Sequence, residues 1–492
     1  MVKNKMTFKD FYNRIFSVAE IAESRQLQAV AAIVWFLYIF DLNAYSKSPL
    51  QYFNPQAIYE LNCWSYWPQC HDYLHFAAFP FSYLYTEWMA LLLGLMLVSL
   101  WAALKNKWCL AHFFLLIPVV WRVIFQFALV NYHTVNFDFF YLAPTFILLF
   151  ARNKSQNLKY IWILCYLFAA RVKLDDGWIL GTYFTSIDLG FPFLPKALTP
   201  LATNITILFE IVASLGLLAH SNFKRQCSLY AWTGFHLISA ITVGYLYPVR
   251  CLLFLWSLFG FGVAPKSKEY LGLKKSLAAT FIFTAFCLAN FIPSMIPGDV
   301  NQTFAGIDYG FHMIDANHQC LNKVRHFSSN NQVLEEYSTG TRNPFGRCYP
   351  DEFLRNLKDN NCRSLSVGEH IEWKLWHSKN GGPFYETINT SDACHLEYQA
   401  FAKNSWIKEP SEGASLVGYP EMNSIYKGGS PGKPVVFEKS QGEPFTYNFL
   451  RENYKYIRMF YLILWTMAFI YLVLKIIGLN LSSRRKKESE EL

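Results

Sequence analysis

The stretch AARVKLDDGWILG, residues 169–181, carries the side chains best suited to chemistry in this chain. Lys173 stands where an apolar segment ends, and Asp175, Asp176 and Trp178 follow at once. One reading is a membrane interface, with the lysine reaching to water, the tryptophan at headgroup depth and the acids solvated. The other is a catalytic amine. Desolvation disfavours the charged form of a lysine, so a withdrawn amine can act as a neutral base. Neighbouring carboxylates oppose this by favouring the ammonium. The second reading therefore requires Asp175 and Asp176 to point away from Lys173, with Arg171 as the nearest candidate partner.

Arg122, Glu210 and His236 fall inside other apolar segments, where polar groups are expensive and usually face an interior cavity. His133 lies in VNYHTVNFDFFYL, on the same side as Lys173 by the topology below. CHDYLH supplies Cys70, His71, Asp72 and His75 as possible metal donors, but Cys70 is better explained as a disulfide partner. GGSPGKP at 428–434 lacks the spacing and the Ser/Thr of a phosphate loop.

The scaffold that must hold these residues is written in the composition. The 492 residues are 53% apolar and 18% aromatic, and 16% are charged. Soluble proteins carry about 25% charge, so a soluble cytosolic enzyme and a disordered chain are both excluded. The formal charge of +9 is dispersed in short groups rather than gathered into a nucleic-acid patch. Apolar segments near 27–42, 84–104, 109–130, 139–151, 158–171, 201–219, 228–246, 249–264, 275–294 and 458–480 predict about ten membrane segments. With the N-terminus inside, the inner segments hold twenty Lys and Arg, against Lys47, Lys173, Lys196 and Arg250 in the short outer loops. That asymmetry orients the chain.

The expected fold is a polytopic α-helical membrane protein with a β-rich mixed extracytoplasmic domain before the last helix. Residues 1–26 form a cytoplasmic amphipathic lead-in, 27–294 a membrane domain, 295–457 the outer domain, 458–480 the last helix and 481–492 a basic tail. Within the outer domain, Ile371, Trp373, Leu375 and His377 alternate with polar residues ahead of NGGP and FYETI, which predicts a hairpin around 370–388. PDEFLRNLKDN, 350–360, predicts a helix with Pro350 at its start. Cys63, Cys70, Cys320, Cys348, Cys362 and Cys394 form an even set on the outer side, which suits disulfides in an oxidising lumen or periplasm. Cys63 or Cys70 is expected to bridge to the outer domain. NQT at Asn301 and NTS at Asn389 fit the pattern of glycosylation acceptors.

At KLDDGW the sequence resembles the vitamin K-dependent γ-glutamyl carboxylases and their bacterial relatives, the horizontally transferred transmembrane (HTTM) family. Their recurring motif is Lys-Leu-Asp-x-Asp-Trp-x-x-Gly, with the lysine as active-site base. Lys173, Leu174, Asp175, Trp178 and Gly181 match it, while the second acid comes one residue early, as Asp176, with Gly177 in its place. GFHLISAITVGYLYPV, 234–249, is similar to the family's histidine helix and aligns His236. Residues 131–141 resemble its Asn-His-x-Tyr-Leu region; aligning on Asn136 puts Phe137 at the histidine position and leaves His133 one turn away. The likeness spans roughly residues 20–300, and the outer domain is much shorter than in animal carboxylases.

The resemblance implies an enzyme of the endoplasmic reticulum or bacterial inner membrane, with its site on the luminal or periplasmic face. Reduced vitamin K, O2 and CO2 would be its cofactors, with no metal. Its partners would be a glutamate-containing peptide and a quinone drawn from the bilayer, with no nucleic acid. Lys173 would act with His236 and His133, and Asp175, Trp178, Arg122, Glu210 and Asn136 would contact substrate or cofactor. Oxygenation of the hydroquinone would generate a base strong enough to remove a glutamate γ-proton, and CO2 would capture the carbanion. The alternatives are a quinone epoxidase acting on another substrate, and a transporter or lipid-binding protein without catalysis.

Overall fold

The apolar segments are rich in residues that favour helix, burial or lipid satisfies their side chains, and Pro118, Pro144 and Pro293 are accommodated inside helices. The computed structural model describes residues 7–45, 85–128, 137–185, 194–242, 246–260, 276–307, 310–312, 315–341, 347–417 and 445–477. The amphipathic lead-in folds as α1 (Phe8–Phe16) and α2 (Val18–Glu23). Helices α3 (Arg25–Tyr45), α4 (Tyr85–Leu104), α5 (Trp108–Ala128), α6 (Phe137–Phe150) and α7 (Lys154–Val172) follow. After the short turns α8 (Asp176–Ile179) and α9 (Thr182–Thr185) come α10 (Thr199–Gly216), α11 (Asn222–Thr242), α12 (Leu246–Leu255) and α13 (Leu277–Met295). Then come α14 (Val300–Thr303), α15 (Pro350–Asn360), α16 (Phe445–Glu452) and α17 (Tyr454–Ile476). Among the described residues, α10, α13 and α17 are long and apolar enough to cross a membrane.

Helix α10 has two faces. Leu201, Ile205, Leu208 and Val212 are exposed along one stripe, and Thr203, Ile207, Glu210 and Ser214 are buried along another two residues away. A step of two residues turns a helix by about 200°, so the stripes are opposed. An exposed aliphatic stripe is costly in water and natural against lipid. The buried one carries the polar groups.

The chain divides into two compact units. The first comprises Met1–Leu167, Ile211–Leu288 and Thr466–Leu492; the second comprises Phe168–Glu210 and Ala289–Trp465. Residues 168–210, which include the Lys173 stretch, thus belong to the same unit as residues 295–457.

The second unit contains a five-stranded antiparallel sheet in the order β2-β1-β3-β4-β5. Its strands are β1 (His318–Phe327), β2 (Val333–Thr341), β3 (His370–Lys379), β4 (Phe384–Thr390) and β5 (Ser415–Val417). The expected hairpin is β3–β4, and the expected helix is α15 with Pro350 in its first turn. Ile371, Trp373 and Leu375 of β3 meet Cys320 and Val324 of β1 and Leu354 and Leu357 of α15 in one apolar core.

Disulfides Cys320–Cys348 and Cys362–Cys394 hold α15 at both ends. The expected bridge from Cys63 or Cys70 into this domain is therefore replaced, because all four of its cysteines are paired with one another; Cys63 and Cys70 themselves lie outside the described residues. Closing loops of 28 and 32 residues contributes about 3–4 kcal/mol each in the chain-entropy model. Short local closures tie helix to sheet more simply than a bridge across hundreds of residues. Of the two glycosylation triplets, Asn389 is exposed whereas Asn301 is buried and donates to Asp175, which removes it as an acceptor.

Three buried histidines should make this unit acid-sensitive. His318 Nδ1 lies 2.9 Å from His377 Nε2, and His312 sits beside Asp315. Burial pushes His312 down to about 4, His377 to about 3 and His318 well below the ordinary imidazole value. Since the unfolded chain takes up these protons near pH 6.5, stability is lost as pH falls from there towards the folded values. The maximum slope is about 1.4 kcal/mol per pH unit for each histidine. Hydrogen exchange of segments 318–327 and 370–379 should therefore accelerate steeply between about pH 6 and 4. Protection unchanged across that range would mean that the histidines are protonated in the fold.

Candidate functional site

The Lys173 stretch turns sharply because its own residues cap and bend it. Asp175 caps α8, its Oδ1 accepting from the Gly177 amide at 3.0 Å. Gly181, the motif's glycine, has φ +74°, and a Cβ there would approach the Pro200 nitrogen to 2.8 Å. A side chain is therefore excluded on two grounds. The turn packs Trp178 against Tyr183 and Phe184, with ring centroids 5.4 Å apart in each case.

Lys173 does not end in water. It is 6% exposed, and Glu210 on the buried stripe of α10 is 3% exposed. Lys173 Nζ donates to Glu210 Oε1 at 2.8 Å, to Oε2 at 2.9 Å and to the Ala169 carbonyl at 3.0 Å. It also lies 5.1 Å from the centre of the Trp178 ring. All these partners belong to the second unit. A buried ion pair is stable only where its hydrogen bonds are satisfied, and here three acceptor atoms surround the amine.

The two acids do point away from Lys173, but not to Arg171. Arg171 donates to the Asn290 carbonyl at 2.9 Å and to Ser294 Oγ at 2.8 Å, over the Phe291 ring. The partner of the acids is Lys379, at the end of β3. Its Nζ lies 3.3 Å from Asp175 Oδ2, 3.3 Å from Asp176 Oδ1 and 2.9 Å from Asp299 Oδ2. Burial pushes Asp175 up, but the Lys379 charge and hydrogen bonds to the carboxylate outweigh it and hold the group at about 2. Burial and the Asp175 charge push Asp176 above the ordinary carboxylate range. Lys379 itself is held charged, well above an ordinary lysine, because three carboxylates outweigh its desolvation.

His236 and Arg122 belong to the first unit, each with partners of its own. His236 Nε2 lies 2.8 Å from the Tyr166 hydroxyl, and its ring stacks on Trp232 at 5.4 Å. Arg122 donates to the Tyr141 hydroxyl and lies over the rings of Tyr38 and Tyr141 at 4.9 and 4.8 Å. His133 and Asn136 lie outside the described residues, as do His71, Asp72 and His75.

Sequence reasoning selected Lys173 and Glu210 separately, and the fold makes them one pair. It missed Lys379, Asp299 and Asn380. Only the NGG turn following Lys379 hinted that this lysine stands at a hairpin end. Asn301 was noticed, but as a glycosylation triplet rather than as a donor to Asp175.

The fold and the site define a predominantly helical chain with helices able to cross a membrane, a disulfide-bonded antiparallel sheet and a buried Lys–Glu pair. No protein-family model, curated protein or solved structure matches it.

Proposed function

We propose that this protein is a short-form vitamin K-dependent carboxylase-like membrane enzyme. In this reading it couples epoxidation of a reduced naphthoquinone to γ-carboxylation of peptide glutamate. The observation that carries this reading is the buried pair of Lys173 and Glu210 within a motif resembling that of the carboxylases.

Lys173 is the base, and Glu210 takes up and returns the proton that would otherwise keep the amine charged. Trp178, backed by Tyr183 and Phe184, gives that amine an aromatic neighbour of the kind a flat hydroquinone would stack on. When bound, the reduced quinone with O2 supplies the strong base that glutamate deprotonation requires, and CO2 supplies the new carboxyl group. The residues of the motif exclude water from Nζ, which protects a reactive site from wasteful hydrolysis. Purified protein given reduced vitamin K and O2 in lipid nanodiscs should form the epoxide, and a glutamate peptide should incorporate labelled CO2. Epoxide without incorporation would point to an epoxidase acting on another substrate; neither product would overturn the reading.

A second reading, a lipid-binding or transport protein, is favoured by one feature of the second unit. A cleft of about 590 Å³ is lined by Leu201, Asn204, Phe449, Leu450, Ile457 and Phe460, among others. Its size is that of a small-molecule site. The epoxide assay separates the two.

The proposal includes ten membrane segments, both termini cytoplasmic and residues 295–457 outside, on the strength of the basic asymmetry. In sealed inside-out vesicles of a chain lacking the exposed Cys227, Lys105→Cys should react with an impermeant maleimide. Val367→Cys, fully exposed in the outer domain, should not react. Equal labelling of both from one face would contradict this topology.

A further inference from the structure

The β3–β4 hairpin ends in a two-residue turn. Asn380 and Gly381 have φ +52° and +70°, and the Gly382 amide donates to the Lys379 carbonyl at 2.9 Å. Two positive φ values in succession make the tight turn that matches strand twist. The tip is anchored twice to Asn317, whose carbonyl accepts from the Asn380 amide at 2.8 Å and whose own amide donates to Asn380 Oδ1 at 2.9 Å. The Asn380 carboxamide also occupies the space a side chain at Gly177 would need, and its Nδ2 lies 3.4 Å from Asp176 Oδ1. The position where this chain departs from the carboxylase motif is thus where the hairpin tip docks.

We propose that Lys379 is a positioning residue for Lys173: it draws Asp175 and Asp176 onto the hairpin tip, leaving Glu210 to govern where the Lys173 proton sits. This rests on the reading of Lys173 as a base. Asp175 and Asp176 follow Lys173 by two and three residues in the chain, and an uncompensated carboxylate that comes within about 4–6 Å of an amine favours its ammonium form. Lys379, with Asp299 and the donor Asn301, fixes both acids in another direction. The carboxylate bonded to Lys173 Nζ is Glu210 of α10. Around the acids stand Lys379 of β3 and Asp299 before α14, with Tyr454 at the start of α17. The tip of the β3–β4 hairpin thereby keeps the two acids of the turn turned from the amine that follows α7.

The test reads Lys173 directly. The full chain in nanodiscs is reductively methylated with formaldehyde and cyanoborohydride across pH 6–10, and dimethylation of Lys173 is quantified by peptide mass spectrometry. Lys379→Met should move the half-modification point up by about one pH unit. Lys379→Arg, which keeps the charge, should leave it near the wild-type position. Adding Asp175→Asn and Asp176→Asn to Lys379→Met should bring it back. An unshifted profile in Lys379→Met, with hydrogen-exchange protection of 370–390 retained, overturns the proposal, as does a shift that survives removal of both acids.

Should Lys379→Met unfold the hairpin, Asp175→Asn alone decides, since asparagine also caps helices well. With Lys379 present it should leave the profile in place; a downward shift of a full unit would mean that Asp175 acts on Lys173 unscreened. Because the readout is amine reactivity, a shift in a protein that forms no epoxide would support the positioning role while refuting the enzymatic reading. Epoxide formation with no shift would do the reverse.

Discussion

Lys173→Ala should abolish epoxide formation and carboxylation together, because the first proton transfer precedes both. General bases contribute about 10²–10⁴-fold, so residual turnover should fall to at most a few per cent of wild type. The site is preformed around the missing amine: Glu210, Trp178 and the Ala169 carbonyl are held by α10, the α8 turn and α7. A small primary amine should therefore restore part of the activity by occupying the vacated space as a neutral base. Loss of carboxylation alone, with epoxide formation intact, would move the base to another residue.

The second large effect is on stability. Glu210→Leu leaves Lys173 buried with no carboxylate within bonding distance among the described residues. Removing one member of a buried pair costs about 3–5 kcal/mol, whereas replacing both with apolar groups is often neutral. The single variant should therefore lose thermal stability in nanodiscs, and Lys173→Met combined with Glu210→Leu should recover most of it. Additive losses in the double variant would show that the two residues do not act as a pair.

What could be read in the sequence was local. Runs of apolar residues gave the helices, the alternation of Ile371, Trp373 and Leu375 before NGG gave the β3–β4 hairpin, and Pro350 marked the start of α15. Each of these signals spans a few residues and has one physical cause. The site was legible as separate parts. Lys173 announced itself by its motif and Glu210 by the cost of an acid in an apolar segment, but 37 residues separate them. Nothing local says that a buried stripe of α10 meets the turn after α7.

The expectation for Arg171 failed for the same reason. Sequence proximity suggested it, while a carboxylate pairs with whichever cation the tertiary fold delivers, here Lys379 from over two hundred residues away. The cysteines repeat the lesson, since counting them gave the even set and the fold gave the partners.

The central claim is that Lys173 acts as a neutral base rather than as a fixed positive charge, and Lys173→Arg tests it most directly. A guanidinium keeps the charge and could still bond Glu210, but it cannot give up its proton to become a base. Epoxide formation by purified Lys173→Arg in nanodiscs, at saturating reduced vitamin K and O2, should lie at the level of Lys173→Ala. Near-normal epoxide from the arginine variant would contradict the account, making Lys173 an anchor for charge and sending the search for the base to His236 or His133.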